Sequence, residues 1–230
     1  MSLRKRIAQV VGILLAICFS YQLWIFGHIV YWRWYPPAMT SFMSEQQARL
    51  QQDNPEAELR YQWVDYPHIS SHLKRAIVAS EDAKFLNHDG FDWEGIQDAW
   101  EKNLQKGRIV AGGSTISQQL AKNLFLSSQR TPWRKAQEAV ITVMLEMVLD
   151  KQRIFEIYLN VVEWGDGVFG AEAAARHYYR TSAAKLAKPQ AAKLAAMLPN
   201  PRYYDSHRND RRLLRKSAII VRRMTYADIP

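Results

Sequence analysis

The stretch Thr131-Pro132-Trp133-Arg134-Lys135-Ala136-Gln137-Glu138-Ala139-Val140-Ile141-Thr142-Val143-Met144-Leu145-Glu146-Met147 decides the fold class. Thr131-Pro132 is a good helix start, because proline at the first helical position has its φ already set and gives up an N–H that would be unpaired there. Behind it Trp133, Ala136, Val140, Val143 and Met147 recur at helical spacing. The head of this helix is crowded with charge: Arg130, Arg134, Lys135 and Glu138. Arg134 and Glu138 stand four apart, the spacing of a surface ion pair worth a few tenths of a kcal/mol (~0.3). The same guanidinium groups on Arg130 and Arg134 could instead clamp phosphate oxygens, for which their planar fork is suited.

Outward from this helix the 3.6-residue period persists. Upstream, Trp93, Ile96, Trp100 and Leu104 form one apolar face closed by Gly107; downstream, Lys151 to Leu159, Ala171 to Tyr179, Pro189 to Leu198 and a last helix carrying Leu213, Leu214, Ile220, Val221 and Met224 read the same way. Only Leu59, Tyr61 and Trp63 alternate with polar residues, which suggests one short strand or extended segment. Met39 to Glu58 is polar and glutamine-rich, a stalk or first helix. The chain is therefore predicted to be mainly α.

Two further constellations carry chemistry. In Glu81-Asp82-Ala83-Lys84-Phe85-Leu86-Asn87-His88-Asp89-Gly90 the acids are flanked by Ile77, Val78 and Phe85, so Glu81 could stand at the edge of an apolar pocket, as suits a general base. A solvated helix end is the plainer alternative. In Gly113-Ser114-Thr115-Ile116-Ser117-Gln118-Gln119-Leu120-Ala121-Lys122-Asn123 the glycines before a Ser/Thr pair can present backbone N–H groups to an anion at a helix start. Lys122 follows Ser114 by roughly two helical turns, so both could line one face. A capped amphipathic helix explains that segment equally well.

The 230 residues carry a formal net charge of +9 and are 48% hydrophobic, a globular composition biased towards anionic partners. One cysteine, Cys18, excludes an intrachain disulfide. From Ile7 to Trp32 no Asp, Glu, Lys or Arg occurs, long enough for a helix across the hydrocarbon, which needs about 20 residues. Tyr31, Trp32, Trp34 and Tyr35 make an interfacial aromatic belt, and Pro36-Pro37 end the helix. Arg4, Lys5 and Arg6 predict a cytoplasmic N-terminus with the rest of the chain translocated. No clear small-x-small cleavage site marks a removable signal peptide. The predicted division is a basic tip and anchor over 1–37, a membrane-proximal stalk or extended segment over 38–68, and a folded domain over 69–230.

In order along the chain come Glu-Asp-x-x-Phe-x-x-His-x-Gly from Glu81, Gly-x-Ser-Thr-Ile-x-Gln-Gln-Leu-x-Lys-Asn from Gly112, and Arg-Lys-x-x-Glu from Arg134. Lys151-x-x-Ile154-x-Glu156-x-Tyr158-Leu159-Asn160 runs into Gly165-x-Gly167-x-x-Gly170, and Ala191-Ala192-x-Leu194-Ala195 ends in Pro199-x-Pro201. This series resembles the motifs of the peptidoglycan glycosyltransferases, glycosyltransferase family 51, over about Ile69 to Pro201. It is similar to the monofunctional branch: Ser2-Leu3-Arg4-Lys5 and Ser182-Ala183-Ala184-Lys185 match the Ser-x-x-Lys of the penicillin-binding transpeptidase, but its other two motifs do not occur, so no transpeptidase activity is expected. One departure is Gln190, where the family often has an acid.

The resemblance implies a lysozyme-like helical glycosyltransferase domain behind one transmembrane helix. It also implies polymerisation of lipid II into β-1,4-linked glycan with loss of undecaprenyl pyrophosphate. Glu81 would be the general base and Glu138 the second acid. Lys122, Arg130 and Arg134 would neutralise the pyrophosphate, while Ser114, Gln118, Gln119, Asp82 and His88 would bind substrate. A divalent cation, Mg²⁺ or Mn²⁺, would be carried mainly by the pyrophosphate, with Glu138 its one candidate protein ligand. The implied location is the bacterial cytoplasmic membrane, catalytic domain periplasmic. Membrane lipids are the expected surroundings, other cell-wall synthesis or division proteins the expected neighbours, and nucleic acid is excluded by translocation. The basic run Arg202, Arg208, Arg211, Arg212, Arg215, Lys216, Arg222 and Arg223 would touch anionic lipid or form a solvated helix face. Rival readings are a lysozyme-like glycan cleaver, which would need no phosphate clamp, and an anchored scaffold without catalysis.

Overall fold

The computed structural model describes residues 3–108, 112–129 and 131–230. It opens on α1 (Leu3–Tyr31), whose apolar side chains from Val10 to Phe19 face outward over most of their surface. The lower part of α1 is built into the domain. Ile25 and Ile29 are fully buried, Phe125 packs edge-on to Trp24, and Gln22 donates through Nε2 to Gln137 Oε1 at 2.9 Å. Just below, the Arg153 guanidinium ties the turn, donating to the Trp32 and Tyr35 carbonyls at 2.8 Å each.

Residues 38–68, expected as a stalk, pack into the same body. Thr40 caps α2 (Ser41–Asp53) through its hydroxyl, and Met43 of that helix is fully buried. β1 (Arg60–Tyr61) falls within the alternating segment, and Asn160 brackets Val64 just beyond it, donating to its carbonyl and accepting from its N–H.

Ser70 caps α3 (Ser71–Glu81), which buries Leu73, Ala76, Ile77 and Val78. α4 (Trp93–Lys106) ends at Gly107 in the left-handed conformation, as the sequence predicts. The central strut is α5 (Ile116–Phe125), most of whose residues are buried against α6 (Pro132–Val148) and α7 (Lys151–Val161). β2 (Glu163–Gly165) pairs antiparallel with β3 (Val168–Phe169), and β3 pairs parallel with β1, placing β3 in the middle of a small sheet. α8 (Ala171–Tyr179), α9 (Lys188–Met197), α10 (Pro201–Ser206) and α11 (Arg211–Arg223) complete the chain, α9 and α11 packing on α3. The domain is mainly α, with its core between α3, α5, α7 and α9.

Two helices turn their apolar stripes away from the core. The apolar face of α4 looks outward: Trp93 is 71% and Trp100 66% exposed, and Leu104 is exposed beside them. On α6 the predicted stripe is also the outer face, with Trp133 70% exposed and Val140, Val143 and Met147 uncovered. The inner face of α6 instead carries Glu138, Ile141, Thr142 and Leu145. Periodicity marks which residues share a face; it does not say whether protein or lipid covers that face.

Candidate active site

The site forms where α3 ends and α5 begins. Asp82, at the C-cap of α3, accepts from His88 Nε2 at 3.0 Å and from the Ile116 backbone N–H at 3.0 Å. His88 Nδ1 in turn accepts from the Gly90 N–H at 3.2 Å, which fixes Nε2 as the protonated ring nitrogen. Thr115 caps α5 with a full capping box: its hydroxyl accepts from the Gln118 N–H, and the Gln118 side-chain oxygen accepts from the Thr115 N–H at 3.1 Å. The Thr115 hydroxyl also donates to the Gly90 carbonyl at 2.7 Å. These bonds lock the Glu81–Gly90 and Gly113–Asn123 segments together.

Glu81, the last residue of α3, is 11% exposed at the side chain. Every hydrogen-bonding neighbour offers it a proton. Ser80 Oγ donates to Oε1 at 3.0 Å and Gln119 Nε2 donates to Oε2 at 3.2 Å. The Gln119 amide is oriented by Tyr158, whose hydroxyl donates to its oxygen at 3.0 Å. Burial pushes the Tyr158 phenol well above its usual pKa, and the charges of Glu81 and Asp82 add to the push, so that hydroxyl stays a donor. A cation completes the setting, Lys216 Nζ of α11 at 3.7 Å from Oε1.

Glu81 and Asp82 line a small cleft of about 110 Å³ with Asp92, Gly113 and Ser114. A second pocket, about 270 Å³, shares Gly113 and Ser114 and runs on to Gln118, Trp100 and Lys135. At its far side Lys135 and Arg134 close on the buried Glu138, Arg134 Nη1 lying 2.6 Å from Oε2 and Lys135 Nζ on Oε1. Both oxygens of Glu138 are thus taken by cations. On the other side of this pair, Arg134 lines an apolar groove of about 600 Å³ between α1 and α6, with Leu14, Ile17, Phe125 and Trp133 among its walls.

The structure therefore brings Glu81, Asp82 and Ser114 to the small cleft, with Gln119 bonded to the base candidate, and places Gln118 in the adjoining pocket that shares Ser114. His88 stands behind the cleft, holding Asp82 rather than lining it. Lys122 lies one turn beyond Gln119 on α5, half-buried, its ammonium 5.4 Å from the Phe42 ring centroid. Arg130 lies outside the described residues. Among the described residues no group of three His, Cys, Asp or Glu could hold a metal ion.

Sequence reasoning missed two sets of residues. Lys216 belongs by sequence to the basic run read as lipid-touching or solvated, yet Leu213, Ser217 and Ile220 point inward and residue 216 lies at the edge of their face. Glu146 forms a partly buried pair at 2.8 Å with Lys151 of the fourth motif, with Ser117 Oγ on Glu146 at 2.5 Å and Lys151 Nζ on the His88 carbonyl. Nothing in the local sequence distinguishes Glu146 from a solvated helix acid; its partners come from distant segments.

The chain belongs to the transglycosylase family, whose model matches residues 46–225. It is 76% identical over 226 residues to a Laribacter hongkongensis protein named biosynthetic peptidoglycan transglycosylase, covering 98% of this chain and 99% of that one. Proteins of the same name from Chromobacterium violaceum (67% identical, 96% and 97% covered) and Methylobacillus flagellatus (65%, 95% and 96%) are similar along their whole length. It is a peptidoglycan glycosyltransferase, and its apolar N-terminal helix is consistent with membrane anchoring.

Proposed function

We propose that the protein polymerises lipid II, extending a lipid-linked glycan by inverting transfer with Glu81 as general base. The Glu81 carboxylate takes the proton of the acceptor N-acetylglucosamine 4-hydroxyl. The freed oxygen attacks the anomeric carbon of the donor N-acetylmuramic acid, the bond to phosphate breaks, and undecaprenyl pyrophosphate leaves. The observation that carries this reading is the seat of Glu81: an acceptor held by donors in a small cleft whose wall at Gly113 and Ser114 is shared with a pocket that Lys135 lines. A carboxylate fixed at the cleft wall is positioned to meet a hydroxyl bound there, as a general base must be.

Lys135 and Arg134, held in place by Glu138, offer fixed positive charge to the departing pyrophosphate, with Lys122 and Arg130 as further cations. Ser114 and the amide nitrogen of Gln118 contribute hydrogen bonds along the cleft. Asp82 and His88 act by holding the wall. The protein's own side chains do not fit a resident divalent cation, because Glu138 is neutralised on both oxygens and Asp82 is fully engaged.

Arg4, Lys5 and Arg6 ahead of the span support a single-pass arrangement in the cytoplasmic membrane, N-terminus inside and domain outside. The exposed faces of α4 and α6 and the groove beside α1 support a domain lying against the bilayer, where both substrates keep their polyprenyl tails. The test is reconstitution of the full chain with purified lipid II. Polymer forms with the wild type, and Glu81→Gln loses about 10²–10⁴-fold in rate, the usual worth of general-base catalysis. A Glu81→Gln protein as fast as wild type ends the assignment.

A further inference from the structure

We propose that Lys216 is a positioning residue for the reaction, acting through Glu81. This rests on the reading of Glu81 as the base. Of the α11 cations, Arg211, Arg212, Arg215, Arg222 and Arg223 are exposed, whereas Lys216 shares the inward stripe of Leu213, Ser217 and Ile220. That stripe seats α11 on α3 and α9. Its ammonium is brought to 3.7 Å from Glu81 Oε1, the one ion pair of Glu81 among the described residues.

The two carboxylate oxygens are held differently. Oε2 takes a neutral amide N–H from α5, while Oε1 takes a neutral hydroxyl and the charge of Lys216. The carboxylate plane is thereby fixed from two sides, by α5 and by α11, with its remaining lone pairs left for an acceptor hydroxyl. At 3.7 Å the lysine is beyond hydrogen-bonding length, and at 37% exposure it stays partly in water. It orients the carboxylate without capping it. Lys216 itself transfers no proton.

The experiment uses the full chain in proteoliposomes with lipid II, comparing Lys216→Met, Lys216→Arg and Glu81→Gln. Lys216→Met lowers kcat about three- to tenfold, because the carboxylate loses one of the contacts that hold it facing the acceptor hydroxyl, and leaves KM unchanged. Lys216→Arg restores kcat to within about twofold, since charge rather than shape is needed. The melting temperature of each variant confirms folding. The proposal is overturned if Lys216→Met keeps full kcat, or if KM rises while kcat holds, which would place the lysine on substrate phosphate. Failure of the arginine to rescue would overturn it too, by pointing to packing. The Glu81→Gln chain separates the two readings. If it is inactive while Lys216→Met is at full rate, only the lysine's role falls; if it runs at full rate, the base assignment falls with it.

Discussion

At the scale of single residues, the proposed base and the acid that braces the cleft wall are neighbours in sequence. Asp82 is consumed by His88 and the start of α5, while Glu81 turns to the cleft. Glycine placement is as exacting. Gly170 stands at φ +82°, and a Cβ there would come within 2.5 Å of the Asn160 carbonyl oxygen, a backbone atom that cannot step aside. Asn160 is the residue that brackets Val64, so the clash would spread to the strand beside it. Gly170→Ala is expected to cost more than about 1 kcal/mol, read as a lowered midpoint in thermal or urea unfolding. The acidic and glycine positions were legible in sequence because their residue types are restrictive. Lys216 was hidden because a lysine among arginines looks like surface, and only the register of α11 against α3 reveals its neighbour.

At the scale of elements, the cleft depends on how α5 begins. One hydroxyl, that of Thr115, both receives the Gln118 N–H and reaches back to the Gly90 carbonyl, so it joins a helix cap to the preceding motif. Thr115→Val removes both contacts while keeping the branched shape. A loss of about 0.5–2 kcal/mol is expected, the range for a lost cap, with Thr115→Ser close to wild type in the same melt. The sequence showed this helix start as a candidate anion site; the structure shows that its first turn is satisfied internally by the capping box. The long helices and their spacing were legible, including the Gly107 stop, whereas α10 and the strands β2 and β3 were not, being too short to show a period. Which side of α4 and α6 faces the core was not, because an apolar stripe asks for any nonpolar surroundings and a sequence does not say which are supplied.

At the scale of the whole molecule, the outward tryptophans of α4 and α6 and the bare upper part of α1 form the apolar exterior. With Cys18 as the single native thiol, a Cys18→Ser background allows one reporter to be placed at will. In that background Trp100→Cys, labelled with an environment-sensitive fluorophore, should shift to the blue on moving from detergent-free buffer into vesicles. A label on Arg215, on the opposite chemical type of surface, should shift less. Equal emission at both positions would mean that α4 does not meet lipid. The +9 charge, concentrated in part on the outer face of α11, fits an anionic surface without identifying it.

The bond from Gln22 to Gln137 and the double grip of Arg153 on the turn below α1 seat the first helix directly on the body that carries the cleft. With α1 as the proposed anchor, these few contacts set the height of the mouth above the bilayer, and a growing strand of the proposed kind would be paid out past it like rope through a ring.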